Sequence, residues 1–214
     1  MTSSRIIFFG TPDFAVPTLA ALIDNPEFEV CAVVTQPDRP AGRGNKLTPS
    51  PVKQLALAHR LPVLQPERIK GTTSSFLEEL GKLAPIDLAI VVAFGQILPT
   101  RVLEFPRAGS LNIHASLLPR WRGAAPIHHA ILAGDTETGV CLMKMEAGLD
   151  TGPVYVQEAL AIAYDDTLGT LHDKLAQMGA QLLIQNLPAI LTGSIQAEPQ
   201  ANEGLCYAHK VTPA

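Results

Sequence analysis

Residues 5–14, RIIFFGTPDF, run from an apolar tetrad directly into a glycine and a helix-opening Thr-Pro-Asp, and that order decides the fold class. Ile6 to Phe9 read as a strand with both faces buried, because no polar residue alternates with the apolar ones. Gly10 supplies the turn, Thr11 is placed to cap, and Pro12 suits the first position of a helix. A strand that feeds a helix through so short a turn is the start of a βα unit, and the rhythm recurs. A strand at Val30 to Thr35 is followed by a helix from about Pro51 and a strand at Leu61 to Leu64. Further strands are expected at Asp87 to Ala93, Ser110 to His114, Gly139 to Met145 and Pro153 to Ile162. The last helix, about Thr167 to Ile190, carries Leu168, Leu171, Leu175, Met178 and Leu182 at three- and four-residue spacing, with Asp165 or Asp166 as its N-cap. The chain should therefore be α/β, an open, mostly parallel twisted sheet with helices on both faces. Residues 1–190 read as one main domain and 191–214 as a linker without its destination.

Composition narrows the function. Of 214 residues, 47% are hydrophobic and 17% charged, enough for a buried core and far from a disordered chain. The longest apolar run, around Leu88 to Phe94, is interrupted at Gly95 and Gln96, too soon to cross a bilayer. No secretory leader precedes Arg5, so a cytoplasmic protein with no membrane partner is expected. A net charge of −4 argues against nonspecific binding to phosphate backbones, so any nucleic-acid contact must be local. Cys31, Cys141 and Cys206 are widely spaced. Two lie in apolar strand-like runs, where cysteine behaves as a small hydrophobe, and neither disulfides nor a metal site is expected.

The polar residues gather in a few places. In SLNIHASLLPRWRGAAP, residues 110–126, Asn112 and His114 stand two apart and share one face of an extended strand. Some thirty residues later, GLDTG at 148–152 forms a tight turn that could present the Asp150 carboxylate. These three make a candidate catalytic set at a strand end, where open α/β sheets place their ligands. The turn after Ile6–Phe9 has only Gly10 where a dinucleotide fingerprint needs several glycines, which removes most support for a dehydrogenase. Its helix start offers backbone N–H groups to a polar substrate, or is simply a capped helix. Residues 36–51, QPDRPAGRGNKLTPSP, read as a long exposed loop. Its Arg39, Arg43 and Lys46 either meet phosphates or are merely solvated. Ser116 has no base beside it and no GxSxG elbow, so a serine hydrolase is not expected. His59, His172 and His209 read as structural. His128 and His129 are adjacent near a helix start and cannot both enter one site.

With those residues in view, the chain resembles the folate-dependent formyltransferase family, from Arg5 to about Lys210. NIHASLLP and GLDTG carry the resemblance. FFGTPDFA, QPDRPAGRGNKLTPSPVK and SLLPRWRGAAPI are similar to the branch that formylates methionyl-tRNA. The resemblance implies a Rossmann-like formyltransferase fold and transfer of a formyl group from 10-formyltetrahydrofolate to the α-amine of initiator methionyl-tRNA, by a monomer without metal. It implies catalysis by Asn112, His114 and Asp150. Folate contacts would come from Ser116, Leu117, Leu118 and Pro119 and from Val92, Phe94 and Gly95. Contacts to tRNA or substrate would come from Gly10, Thr11, Phe14, Arg39, Arg43 and Lys46. Alternatives are another folate-dependent formyltransferase, a formyltetrahydrofolate hydrolase, or a noncatalytic folate- or RNA-binding module. In the expected roles Asn112 donates to the developing oxyanion, His114 moves a proton, and Asp150 orients His114 and favours its charged form.

Overall fold

Strand β1, Ser4–Gly10, lies between two parallel partners, β2 at Phe28–Val34 and β6 at Leu88–Val92, in a computed structural model that describes residues 3–41 and 46–212. Ile6 to Phe9 and all of β6 are buried, as their unbroken apolar sequence demands. Gly10 closes β1 because a Cβ there would lie 2.7 Å from Phe8 Cε1 and 2.8 Å from the Ala15 Cβ. The helix after it starts later than the sequence suggests. A 3-10 turn spans Asp13–Ala15 and helix α1 spans Val16–Asp24, with Pro17 rather than Pro12 in its first turn. Thr11 does not cap it, since its hydroxyl donates instead to the Phe94 carbonyl at 3.0 Å.

The chain forms two units, residues 1–111 and 112–214. In the first, the strand order is β6-β1-β2-β5, with β5 at Val63–Leu64 parallel to β2. The segment expected as a structureless loop contains a short antiparallel pair, β3 (Arg39–Ala41) on β4 (Lys46–Thr48). Pro40 is tolerated there because each strand of a lone pair is an edge. Helix α2, Pro51–Ala58, is capped by the Ser50 hydroxyl, which accepts from the Lys53 amide at 3.1 Å. Helix α3, Thr73–Gly81, was not expected, since its nine residues bury only Phe76 and Leu80. A four-residue helix, α4 at Thr100–Leu103, precedes β7.

Strand β7, Ser110–His114, is followed by β8 (Arg122–Gly123), α5 (Pro126–Leu132), β9 (Glu137–Lys144) and β10 (Val154–Ala161), antiparallel to β9. The order of the seven-stranded sheet is β10-β9-β7-β6-β1-β2-β5, open and mostly parallel, as the βα rhythm requires. Helix α6, Leu168–Leu191, buries Leu171, Leu175, Leu182 and Leu183. Its N-cap is Thr167, in a reciprocal box with Thr170, not either aspartate. Asp166 accepts instead from the Ala163 amide, the Thr170 hydroxyl and Lys174. Past α6, residues expected as a linker are tied to the second unit. Glu198 and Val154 exchange backbone hydrogen bonds, and β11, Tyr207–Ala208, pairs in parallel with β8. Among the described residues no helix is long and apolar enough to cross a membrane.

Candidate active site

Asn112 and His114 leave the same face of β7, and both are buried, at 8% and 6% exposure. A buried imidazole at a strand end must be held by hydrogen bonds. For His114 the partner is the main chain: Nε2 lies 2.9 Å from the Trp121 carbonyl. A carbonyl only accepts, so Nε2 carries the proton in the neutral ring and Nδ1 is the nitrogen left to gain or lose one. The nearest carboxylate to Nδ1 is that of Asp150, with Oδ2 at 3.8 Å. That distance permits ionic attraction but is too long for a hydrogen bond. The ring is therefore oriented by Trp121, and Asp150 supplies negative charge beside it.

Asp150 is itself fixed. Its Oδ2 accepts from the Gly123 amide at 2.7 Å, a charge-assisted bond. Its φ is +53°, and that of Trp121 is +59°. Left-handed backbone at a non-glycine residue costs roughly 1–2 kcal/mol. Strain of this kind persists only where surrounding contacts over-determine it, which is common at functional sites.

The segment after β7 is equally constrained. The Ser116 hydroxyl is fully buried and donates to the Arg120 carbonyl at 2.6 Å, so it closes a turn and is not poised as a nucleophile. Cys141, in the middle of β9, donates its thiol to the Ser116 carbonyl at 2.8 Å and accepts from the Leu118 amide at 3.3 Å. Burial pushes that thiol up to about 12, so it stays protonated and inert. Cys141 thus does more than fill space. Arg120 grips Asp135 through two hydrogen bonds of 2.9 and 2.6 Å and stacks 4.4 Å over the Trp121 ring, whose Nε1 also donates to Asp135. The Arg120 hydrogen bonds hold the Asp135 carboxyl below its usual range. Of the expected folate residues, Leu118 is buried, and Leu117 and Pro119 are half-buried.

Val92 is fully buried and the Phe94 ring packs edge-on against Phe9, with centroids 5.4 Å apart. Ala93 and Gly95 are exposed and have φ of +47° and +85°, so a ligand there would meet main chain. Thr11 accepts from the Gln36 amide, and Gln36 donates to the Phe94 carbonyl, so that hydroxyl braces the strand ends. Phe14 is buried, Arg39 and Lys46 are exposed, and Arg43 lies outside the described residues. Among the described residues no cluster of three or more His, Cys, Asp or Glu is placed to hold a metal ion. Sequence reasoning missed Trp121, Gly123 and Cys141. The first two act through main-chain atoms that leave no side-chain signature, and the third hides as an apolar residue.

Comparison with known proteins places this arrangement. A methionyl-tRNA formyltransferase from Halorhodospira halophila is 57% identical over 210 residues, covering 98% of this chain and 66% of that protein. One from Methylococcus capsulatus is 58% identical over 211 residues, covering 97% and 66%. A solved phosphoribosylglycinamide formyltransferase from Bacillus halodurans has TM-score 0.66 at 25% identity, over 86% of this chain and 98% of that one. The chain thus spans just under two thirds of the curated relatives' length. The family model described as formyl transferase matches residues 4–187, a span that holds Asn112, His114 and Asp150 together, and the chain belongs to that family.

Proposed function

We propose that the chain transfers a formyl group from 10-formyltetrahydrofolate to the α-amine of initiator methionyl-tRNA, as a monomeric, metal-free cytoplasmic enzyme. The observation that carries a transferase chemistry is the fixed imidazole of His114, with Nε2 tied to the Trp121 carbonyl and Nδ1 turned toward the Asp150 carboxylate 3.8 Å away. No side chain there is set up as a nucleophile, which suits a reaction whose nucleophile is the substrate amine. The acceptor is supported by relatives named methionyl-tRNA formyltransferase at 57% and 58% identity.

The folate supplies an activated formyl group, and the residues fit such a partner through the exposed main chain at Ala93 and Gly95. Asn112 donates an amide N–H to the carbonyl oxygen as it gains negative charge, a contribution on the order of 3 kcal/mol in comparable sites. As the amine nitrogen bonds the formyl carbon, His114 takes the amine proton at Nδ1, the ring position its Trp121 bond leaves available, and returns it to the folate N10 as the C–N10 bond breaks, so that tetrahydrofolate leaves as a neutral amine. The Asp150 carboxylate, with Oδ2 3.8 Å from Nδ1, stabilises the imidazolium while it holds that proton. Arg39 and Lys46 are exposed, as residues that meet tRNA phosphates must be.

The test is single-turnover formylation of initiator methionyl-tRNA with saturating formyl donor, alongside a glycinamide nucleotide and water as rival acceptors. Asn112→Ala should lose roughly 100-fold or more in rate. Near-normal transfer by Asn112→Ala would sink the assigned roles, and preferential use of another acceptor would redirect the function.

A further inference from the structure

We infer that Gln200 is a positioning residue for the transfer reaction, holding the Gly148–Gly152 turn so that the Asp150 carboxylate stays beside His114. This rests on the reading above that His114 and Asp150 work as a pair. Gln200 lies beyond α6, in sequence with no helical or strand pattern, yet its amide is fully engaged. Oε1 accepts from Nε and Nη2 of Arg122 at 3.0 and 2.8 Å, while Nε2 donates to the carbonyls of Asp150 and Gly152, both at 2.8 Å. Met143 Sδ lies 3.7 Å from Nε2 as well. An amide has two N–H groups and two lone pairs, and Gln200 places the N–H side on the turn and the oxygen on the guanidinium.

The choice of residue type is informative. Arg122 is buried at 8% exposure, and a buried guanidinium ordinarily takes a carboxylate partner. A carboxylate at position 200 would satisfy Arg122 but could not donate to two carbonyls, so the amide is the group that fits both demands. What it gains is a closed circuit: Gln200 joins the backbone of Asp150 to the side chain of Arg122, and the next residue, Gly123, holds the Asp150 carboxylate. Trp121, one residue before Arg122, holds the His114 ring. Three consecutive residues thus control both members of the pair, and Gln200 locks the turn onto them. The strained φ of Asp150 has its restraint here.

Two substitutions separate positioning from folding. Gln200→Met removes every hydrogen bond at nearly constant shape. Gln200→Glu keeps the fork with Arg122, so the segment stays docked, but removes both donors to the turn. Each is measured for kcat and KM in formyl transfer, for melting temperature, and for the amide proton resonance of Gly123, which reports the bond to the Asp150 carboxylate. Both variants should lose about 10- to 100-fold in kcat, the scale set by sub-ångström misplacement of a reacting group, with KM for the formyl donor within about twofold. The Gly123 proton should move upfield in both, and Gln200→Glu should melt close to the parent protein. Unchanged kcat in a well-folded Gln200→Glu, or an unmoved Gly123 resonance, overturns the inference. If the parent chain transfers no formyl group while the resonance still moves, the positioning role stands and the proposed activity falls.

Discussion

Replacement of Cys141 distinguishes a hydrogen-bonding thiol from a small hydrophobe, and the two readings predict opposite rank orders. The side chain is fully buried between the Ser116 carbonyl and the Leu118 amide. Cys141→Val preserves apolar bulk but leaves that N–H and C=O without the thiol. An unsatisfied buried polar group costs about 1–3 kcal/mol, and the weak bonds of sulfur place the sum for the pair near the low end, about 2–3 kcal/mol. For a chain of this size each kcal/mol shifts the melting temperature by roughly 2–4 °C, so Cys141→Val should melt about 4–12 °C lower. Cys141→Ser keeps a donor and an acceptor at slightly shorter reach and should lose only about 1 kcal/mol. Cys141→Ala adds a small cavity to the lost bonds and should be the least stable. Thermal unfolding followed by circular dichroism on the three variants gives the order. If valine proves as stable as serine or more so, the thiol is packing only, and its hydrogen bonds to the Ser116–Leu118 segment carry no weight.

Asp166 tests the electrostatics of the α6 N-terminus. Lys174 and two further donors pull its carboxyl down to about 2, below the ordinary carboxylate value near 3.8. A depressed folded-state value adds stability that is complete above about pH 4 and disappears as pH falls toward 2. Asp166→Asn should therefore flatten the fall in stability across that window in acid titrations of urea unfolding, and an unchanged slope would refute it. Asp135→Asn, for its part, should loosen the Arg120–Trp121 stack. Trp121 is the chain's single tryptophan, so a red-shifted emission maximum reports the change directly, and an unshifted spectrum would show that the ion pair does not hold the ring.

Much of the sheet was legible because burial on both faces writes itself into sequence. LAIVV at 88–92 and IIFF at 6–9 contain nothing but core residues, and only a strand covered above and below tolerates that. Helix α6 was legible for the complementary reason, a long apolar stripe at helical spacing. Capping details failed where several small polar residues compete. Asp165, Asp166 and Thr167 all suit an N-cap, and the choice fell to Thr167 because Asp166 is engaged with Lys174 and the Ala163 amide. The β3–β4 pair was hidden by prolines and charges, which usually signal irregular chain. At the candidate site, Asn112 and His114 announced themselves as polar residues on an otherwise apolar strand, and Asp150 as a carboxylate in a glycine-flanked turn. Their supports did not, because a carbonyl of Trp121 and an amide of Gly123 exist at every residue type except, for the amide, proline.

That reliance on main chain also explains why the loop after β7 carries so much backbone strain. A side-chain partner for His114 or Asp150 could swing among rotamers, whereas a peptide group moves only if the chain moves. To aim a carbonyl at His114 from Trp121 and an N–H at Asp150 from Gly123, the chain must turn sharply within three residues, and it does so with φ of +59° and +112° at the two ends. Gly123 has no room for a side chain, since a Cβ there would sit 2.7 Å from the Ala208 carbonyl on β11. The parallel pairing of β11 with β8 supplies the restraint, with Arg122 donating its amide to Cys206 and Ala124 to Ala208. Strain in the loop and docking of the post-α6 segment are therefore two parts of one device. Substitutions in residues 198–208 should be felt at His114 and Asp150 before they are felt in the sheet.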